Sequence, residues 1–256
     1  MSSDRLRDRV VIITGASRGI GKASALAFAQ EGARVALVSR SREELDKVLE
    51  EIKALGGKGV VIRADITQEA DVSGMVDSVA TAFGKIDILV NNAGVVIYSP
   101  IISSKTEDWD TQINTNLKGT YLCSRFVLAK MLKEKQGHII NVSSVMGKHG
   151  QKLLGAYCAS KFGVMGFSKV LAMETRPYNI RVSVICPGGV DTSIFDYAPY
   201  NVDRSRLLKP HQVADVILSI ALAPPGQLIE EIVVTSFHPA KTKGILKSMA
   251  SKLKPF

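Results

Sequence analysis

The sequence predicts an α/β fold: a doubly wound, seven-stranded parallel sheet in a single domain. Three observations point to it. Short apolar runs alternate with longer helical stretches almost throughout the chain. The runs are apolar without polar alternation, as in strands covered on both faces. A glycine-rich turn joins the first run to the first helical stretch, and the length of 256 residues suits one large domain.

Val10 to Ile13 is the first buried strand, and a helix follows the turn from about Gly19 to Gln30. Val35 to Val38 is the second strand. Ser41 then stands where a helix cap belongs, with Glu44 three residues on to complete a capping box. Val60 to Ile62 is a third strand, with a helix over Gln68 to Phe83. Ile86 to Val90 is the fourth, followed by one long helix over Thr106 to Lys133. His138 to Val142 is the fifth, and Gly155 to Glu174 the next helix. Arg181 to Ile185 is the sixth, His211 to Leu222 a short helix, and Ile229 to Val234 the seventh. Regular βαβ alternation gives a Rossmann-like sheet with helices on both faces. Ligands of such sheets bind beyond the carboxyl ends of the strands, so chemistry is expected just after each strand. Residues 1–237 are read as this domain, with a substrate loop over about 192–210, and 238–256 as a basic tail.

Composition narrows the function classes. Hydrophobic residues make up 46% of the chain, which supports a sizeable core. Met1 to Arg9 is charged and lacks a signal peptide's apolar stretch, and no apolar run approaches the roughly 20 residues of a membrane span. A cytoplasmic protein is expected. Cys123, Cys158 and Cys186 are odd in number and irregularly spaced, as reduced packed thiols are. The four histidines, His138, His149, His211 and His238, show no ligand spacing, so no metal is expected. The net charge of +9 is uneven: from His238 onward there are five lysines and no acid. Nucleic-acid binding has only this bulk charge behind it and is not expected. Ile245, Leu246, Met249 and Leu253 have roughly helical spacing among these lysines. The tail either packs on a subunit, stays solvated, or touches an anionic membrane surface.

The turn between strand one and helix one reads Thr14-Gly15-Ala16-Ser17-Arg18-Gly19-Ile20-Gly21. Small residues there let the backbone approach a pyrophosphate, and the helix N-terminus offers N–H groups and the positive end of its dipole. The second strand ends Val38-Ser39-Arg40, with no carboxylate to hold a ribose 2′-hydroxyl. Arg18 and Arg40 are suited instead to grip a 2′-phosphate through forked, charge-assisted hydrogen bonds. The expected cofactor is NADP(H).

Tyr157 and Lys161 stand four residues apart on one predicted helix face. A free tyrosine has a pKa of about 10. A fixed ammonium nearby favours the phenolate and moves that value towards working pH. The pair is thus a candidate proton donor.

Taken with Asn91-Asn92-Ala93-Gly94 after the fourth strand, Asn116 in Thr115-Asn116-Leu117-Lys118-Gly119, Ser143-Ser144 after the fifth, and Pro187-Gly188-Gly189-Val190-Asp191-Thr192 after the sixth, these motifs resemble the short-chain dehydrogenase/reductase family over Arg9 to Thr192. The resemblance implies a catalytic tetrad of Asn116, Ser144, Tyr157 and Lys161. Tyr157 would be the general acid in carbonyl reduction and the base in alcohol oxidation. Ser144 would hydrogen-bond the substrate oxygen, where charge builds. Lys161 would lower the Tyr157 pKa and bind the nicotinamide ribose, and Asn116 would hold a water in the proton relay. The cofactor contacts it implies are Gly15, Ser17, Arg18, Gly19, Ile20, Gly21, Ser39, Arg40, Asp65, Ile66, Asn92, Ala93, Gly94, Pro187, Gly188, Val190 and Thr192, besides Tyr157 and Lys161. Asp65 and Ile66 would meet adenine, although Asp-Ile-Thr also reads as a helix cap.

The implied activity is reversible reduction of a small-molecule carbonyl by an NADP(H)-dependent oxidoreductase, with 3-oxoacyl-thioester reduction as an alternative. A dinucleotide-binding sensor without catalysis is the rival from another class. The family's Gly-Gly segment near the C-terminus is replaced here by Gly226 to Thr235, as in a subset that includes some hydroxy-acid dehydrogenases. This departs from the acyl-carrier reductase pattern and leaves homodimer and homotetramer both open, with a dimer expected through the long helices. Ile194, Phe195, Tyr197 and Tyr200 either line a pocket or pack as a lid. Arg204, Arg206 and Lys209 either receive an anionic substrate or form a solvated cluster.

Overall fold

The computed structural model describes residues 5–224 and 226–237. The basic tail and its proposed helix lie outside the described residues. Seven strands, β1 (Val10–Thr14), β2 (Arg34–Ser39), β3 (Lys58–Arg63), β4 (Ile88–Asn91), β5 (Gly137–Val142), β6 (Ile180–Pro187) and β7 (Glu231–Val234), form one sheet in the order β3-β2-β1-β4-β5-β6-β7. Every pairing is parallel. The helices are α1 (Gly19–Gln30), α2 (Arg42–Ala54), α3 (Glu69–Phe83), α4 (Thr106–Ile113), α5 (Gly119–Glu134), α6 (Gly155–Thr175) and α7 (Pro210–Ala221).

Side chains alternate across a strand, so β1 feeds two cores. Val11 and Ile13 pack with Phe28, Leu45, Ile52 and Ile217 from α1, α2 and α7. Val10 and Ile12 pack with Val72, Met75, Leu122 and Leu171 from α3, α5 and α6. The chain winds outward through β2 and β3, then restarts on the other side of β1 with β4. That reversal opens a crevice beyond the carboxyl ends of β1 and β4.

A buried polar ladder fixes the second layer beneath this crevice. Asn91 Nδ2 donates to Ser124 Oγ on α5 at 3.0 Å and to Asn141 Oδ1 on β5 at 2.9 Å. Asn141 Nδ2 donates to Ser168 Oγ on α6 at 2.8 Å. Each amide nitrogen donates within this ladder, which holds both side chains in position, whereas Asn91 Oδ1 is buried without a partner among the described residues.

β3 is an edge strand with half-exposed residues, as no strand pairs beyond it among the described residues. Two local expectations change. Ser41 does sit at the N-cap of α2, but its side chain makes no capping bond. Its backbone N–H instead donates to Ser39 Oγ at 3.2 Å, so the capping box is not formed. The long helix is interrupted: Asn114–Lys118 forms a π turn between α4 and α5. Such widened turns break the regular ladder and occur often at functional sites.

Candidate active site

β1 and β4 are stitched together at their carboxyl ends. Thr14 Oγ1 accepts the N–H groups of Asn92 at 3.0 Å and Ala93 at 3.1 Å. Asn92 Nδ2 donates back to the Thr14 carbonyl at 2.9 Å. The glycine turn lies against this seam. Gly15 and Gly19 have φ of +65° and +55°, the left-handed region that favours glycine. A Cβ on Gly21 would fall 2.1 Å from the Gly15 carbonyl oxygen.

Arg18 is the N-cap of α1 in extended backbone, its side chain caps nothing, and the first turn carries no acid. The leading N–H groups therefore face an uncapped helix end, which suits an anion. Ser17 is half-buried in the turn, and Ile20 packs into the core behind it. A Cβ on Gly19 would lie 3.1 Å from Thr192 Cγ2, so the loop after β6 closes over the turn from the far side. A dinucleotide's pyrophosphate fits this cradle, whose closeness no larger residue would permit.

Ser39 ends β2 and Arg40 follows it, next to the turn, whose Ala16 N donates to Val38 O at 3.1 Å. Arg18 and Arg40 are exposed, and neither pairs with a carboxylate among the described residues. The Asp65 carboxylate is engaged locally, accepting from Thr67 N at 2.9 Å and Thr67 Oγ1 at 2.8 Å. Ile66 is buried, close enough to Gly119 that a Cβ there would meet Ile66 Cδ1 at 2.5 Å. Both side chains thus have the contacts of a helix entry.

The π turn places Asn116 facing α6 and the segment after β4. Its Oδ1 accepts from Val95 N at 2.8 Å, and its Nδ2 donates to Val95 O at 2.9 Å and Ser160 Oγ at 3.0 Å. The side chain is fully buried and its amide protons are both used. It clasps the strand-end segment to α6. A relay water would have to use the main-chain carbonyl, which already accepts from Thr120 Oγ1 at 2.8 Å and keeps a second lone pair.

Of the two serines after β5, Ser143 points inward and donates to the Lys161 carbonyl at 3.2 Å. Ser144 lies beside Tyr157, and its Oγ accepts from Met146 N at 3.1 Å. Lys161 is buried, and its Nζ donates to Val142 O at 2.9 Å. A Cβ on Gly94 would stand 3.3 Å from Asn116 Oδ1 and 3.6 Å from Lys161 Nζ, so Gly94 roofs both groups. The structure therefore brings Asn116, Ser144, Tyr157 and Lys161 to one corner of the crevice.

The electrostatics of that corner differ from the expectation. Burial pushes the Tyr157 phenol up to about 12, against the opposing hydrogen bond with Ser144. Lys161 is not among the causes of that shift, so the predicted lowering does not appear here. Burial instead pushes Lys161 down to about 8. Burial moves both values, because each group's charged form loses its water.

Beyond β6, Gly188 N donates to Val234 O at 2.7 Å, which anchors the Pro187-Gly188 turn to β7. Val190 is buried and bridges to Leu208, and Thr192 caps the short turn Ser193–Phe195. The basic cluster is largely spent on its own loop. Lys209 Nζ contacts Asp191 Oδ2 at 2.9 Å, and Arg204 reaches Asp191 at 3.3 Å and Asp196 at 2.5 Å. Lys209 first, then Arg204, hold the Asp191 carboxyl below its ordinary value. Arg204 and Lys209 are thus loop fasteners. Ile194 and Phe195 are half-buried, whereas Tyr197 is 86% exposed.

The sequence reading missed Tyr98. It follows Asn91-Asn92-Ala93-Gly94 by four residues and packs edge-to-face on Tyr200, ring centroids 5.8 Å apart. The available signal was an aromatic residue just past a motif already recognised. No group of three potential metal ligands occurs, and no helix is long and apolar enough to cross a membrane, among the described residues.

Comparison with known proteins agrees with this geometry. The family model described as short chain dehydrogenase matches residues 9–201. A 3-oxoacyl-[acyl-carrier-protein] reductase, FabG, from Thermotoga maritima is 40% identical over 225 residues, covering 85% of this chain and 92% of that protein. A metagenomic short-chain oxidoreductase solved in complex with NADP superposes with a TM-score of 0.81 at 36% identity, covering 91% of this chain and all of that one. An alcohol dehydrogenase from Thermococcus sibiricus, complexed with 5-hydroxy-NADP, gives a TM-score of 0.84 at 26% identity, covering 90% of this chain and 98% of that one. Fold, glycine turn and family model converge, and the chain belongs to the short-chain dehydrogenase family of oxidoreductases.

Proposed function

We propose that this protein is an NADP(H)-dependent oxidoreductase that reversibly reduces a carbonyl to an alcohol, with Tyr157 moving the proton. The observation that carries this reading is the meeting of Tyr157, Ser144 and buried Lys161 beside the glycine turn. When bound, NADPH supplies the hydride. The Ser144 hydroxyl donates to the substrate oxygen as negative charge develops there. Tyr157 then gives its phenolic proton to that oxygen, and its raised pKa keeps it protonated at neutral pH for that task. Lys161 would hold the nicotinamide ribose when the cofactor is bound and would steady the phenolate left behind. Asn116 holds Val95 and Ser160 in place around them.

The NADP preference rests on Arg18 in the turn and Arg40 just after β2, both exposed and without a carboxylate partner among the described residues, and on the two solved relatives named with NADP or its 5-hydroxy form. The test is a carbonyl and alcohol panel with NADPH. Tyr157→Phe should lower turnover by about two orders of magnitude while NADPH fluorescence still reports binding. Undiminished turnover would overturn the mechanism.

Reduction of 3-oxoacyl thioesters is the second reading, and the name of the Thermotoga maritima relative favours it. The commitment of Arg204 and Lys209 to loop carboxylates disfavours an anionic carrier there. A homodimer through α4, α5 and α6 is also proposed. Trp109, Tyr121, Phe162, Val170 and Met173 stand exposed on those helices, as residues awaiting an apolar partner do. Light scattering of the purified protein checks this.

A further inference from the structure

We infer that Tyr98 and Tyr200 form one wall of the substrate pocket and select ketones bearing a flat apolar substituent. This rests on reading Tyr157 as the proton donor, and it names the substrate class of that same site.

Tyr98 belongs to a segment fastened along its length. Val95 is clasped by Asn116, Ile97 N donates to Gln112 Oε1 at 3.0 Å, and Ser99 N donates to Leu153 O at 2.9 Å. The last bond and the Ser99–Leu154 bridge bring the segment to the start of α6, one turn before Tyr157. Burial first, then Tyr200 and Tyr157, raise the Tyr98 phenol, so Tyr98 stands within electrostatic reach of the Tyr157 phenol.

Tyr200 arrives from the opposite side, on the loop after β6. Its ring meets Tyr98 at 90°, with centroids 5.8 Å apart. Gln151, from the segment after β5, donates through Nε2 to Tyr200 Oη at 3.4 Å. Segments following β4, β5 and β6 therefore converge on one tyrosine. Gln151 takes up polarity at the Tyr200 hydroxyl, and the two rings remain as the apolar part of the proposed wall. Other aromatic residues of the loop do not compete for this role. Phe195 packs towards Gly189, whose Cβ would meet Phe195 Cζ at 3.5 Å, and Tyr197 stands in solvent.

Aromatic faces and edges favour a flat ring beside them over a short alkyl group. A pocket contact of this kind discriminates by about tenfold or more. The wild-type enzyme should therefore prefer acetophenone to butan-2-one in kcat/KM with NADPH. Tyr98→Ala and Tyr200→Ala should each lower that ratio by about tenfold, mainly through the acetophenone KM. Tyr98→Phe, which keeps the ring, should retain most of the preference. Tyr200 is 42% exposed, so its truncation spares the core and gives a folded protein for the measurement. An unchanged ratio in Tyr200→Ala, or a wild type that prefers butan-2-one, would overturn the assignment. Failure of the proposed function reads differently: the wild type would then reduce neither ketone.

Discussion

Lys161 Nζ lies 5.8 Å from the centroid of the Tyr157 ring and donates to the Val142 carbonyl at 2.9 Å. The pair shares a helix face, yet the ammonium is tied to the strand end that precedes Ser144. Lys161 thus locks α6 onto β5 and sets where the phenol stands relative to the serine.

This arrangement predicts an alkaline limb for carbonyl reduction. Tyr157, at about 12, remains protonated well beyond neutrality. Lys161, at about 8, loses its charge first as pH rises. The kcat/KM of reduction should fall through pH 8, and the limb should move upward in Lys161→Arg, which stays charged. A limb that stays in place in that variant would assign it to another group.

Arg18 and Arg40 should set cofactor choice. A charge-assisted hydrogen bond contributes about 1.5–3 kcal/mol when well made, and less at an exposed site. Arg40→Ala should therefore shift the NADPH/NADH ratio of kcat/KM by about tenfold towards NADH, and Arg18→Ala in the same direction. Initial rates with both cofactors at saturating substrate decide it.

Gly21→Ala should abolish cofactor binding. The added Cβ would sit 2.1 Å from the Gly15 carbonyl oxygen and 2.5 Å from Asn92 Nδ2. Both belong to the seam that joins β1 to β4, so relief would require opening the turn itself. Loss of NADPH fluorescence enhancement, with a lowered Tm, is the expected outcome.

The parts of the fold legible in the sequence were those with a period or a strong local code. Val10 to Ile13 and His138 to Val142 read as buried strands because both faces are covered, and α1 was readable from its glycine turn. The π turn was not. Asn114-Thr115-Asn116 is weak in helix propensity but carries no code for a widened turn, and the widening is accompanied by the clasp of Asn116 onto Val95 and Ser160, contacts between segments distant in sequence. Ser41 shows the opposite failure. Its residue type and spacing suit a capping box, but Ser39 Oγ takes its N–H and the box does not form. The depth of the Tyr157 phenol was likewise not legible, since spacing conveys a neighbour on the same helix face but not the burial that pushes the phenol up.

His138 carries the last prediction. It is 2% exposed on β5, its Nε2 hydrogen-bonds Ser183 Oγ at 2.8 Å, and its Nδ1 has no partner. Burial first, then the nearby Arg181 charge, lower its pKa from the ordinary 6.5 to about 3. The unfolded chain takes up a proton near pH 6.5, whereas the folded chain refuses it until about pH 3. The stability contribution is therefore fully present above pH 6.5 and is lost as pH falls from there towards 3. Carboxylates titrate mostly below pH 5, so the interval from 7 to 5 isolates the histidine. Denaturant unfolding of the wild type should lose about 2 kcal/mol more across that interval than His138→Gln, whose side chain cannot titrate. Equal slopes in the two proteins would show that His138 protonates without cost in the folded state.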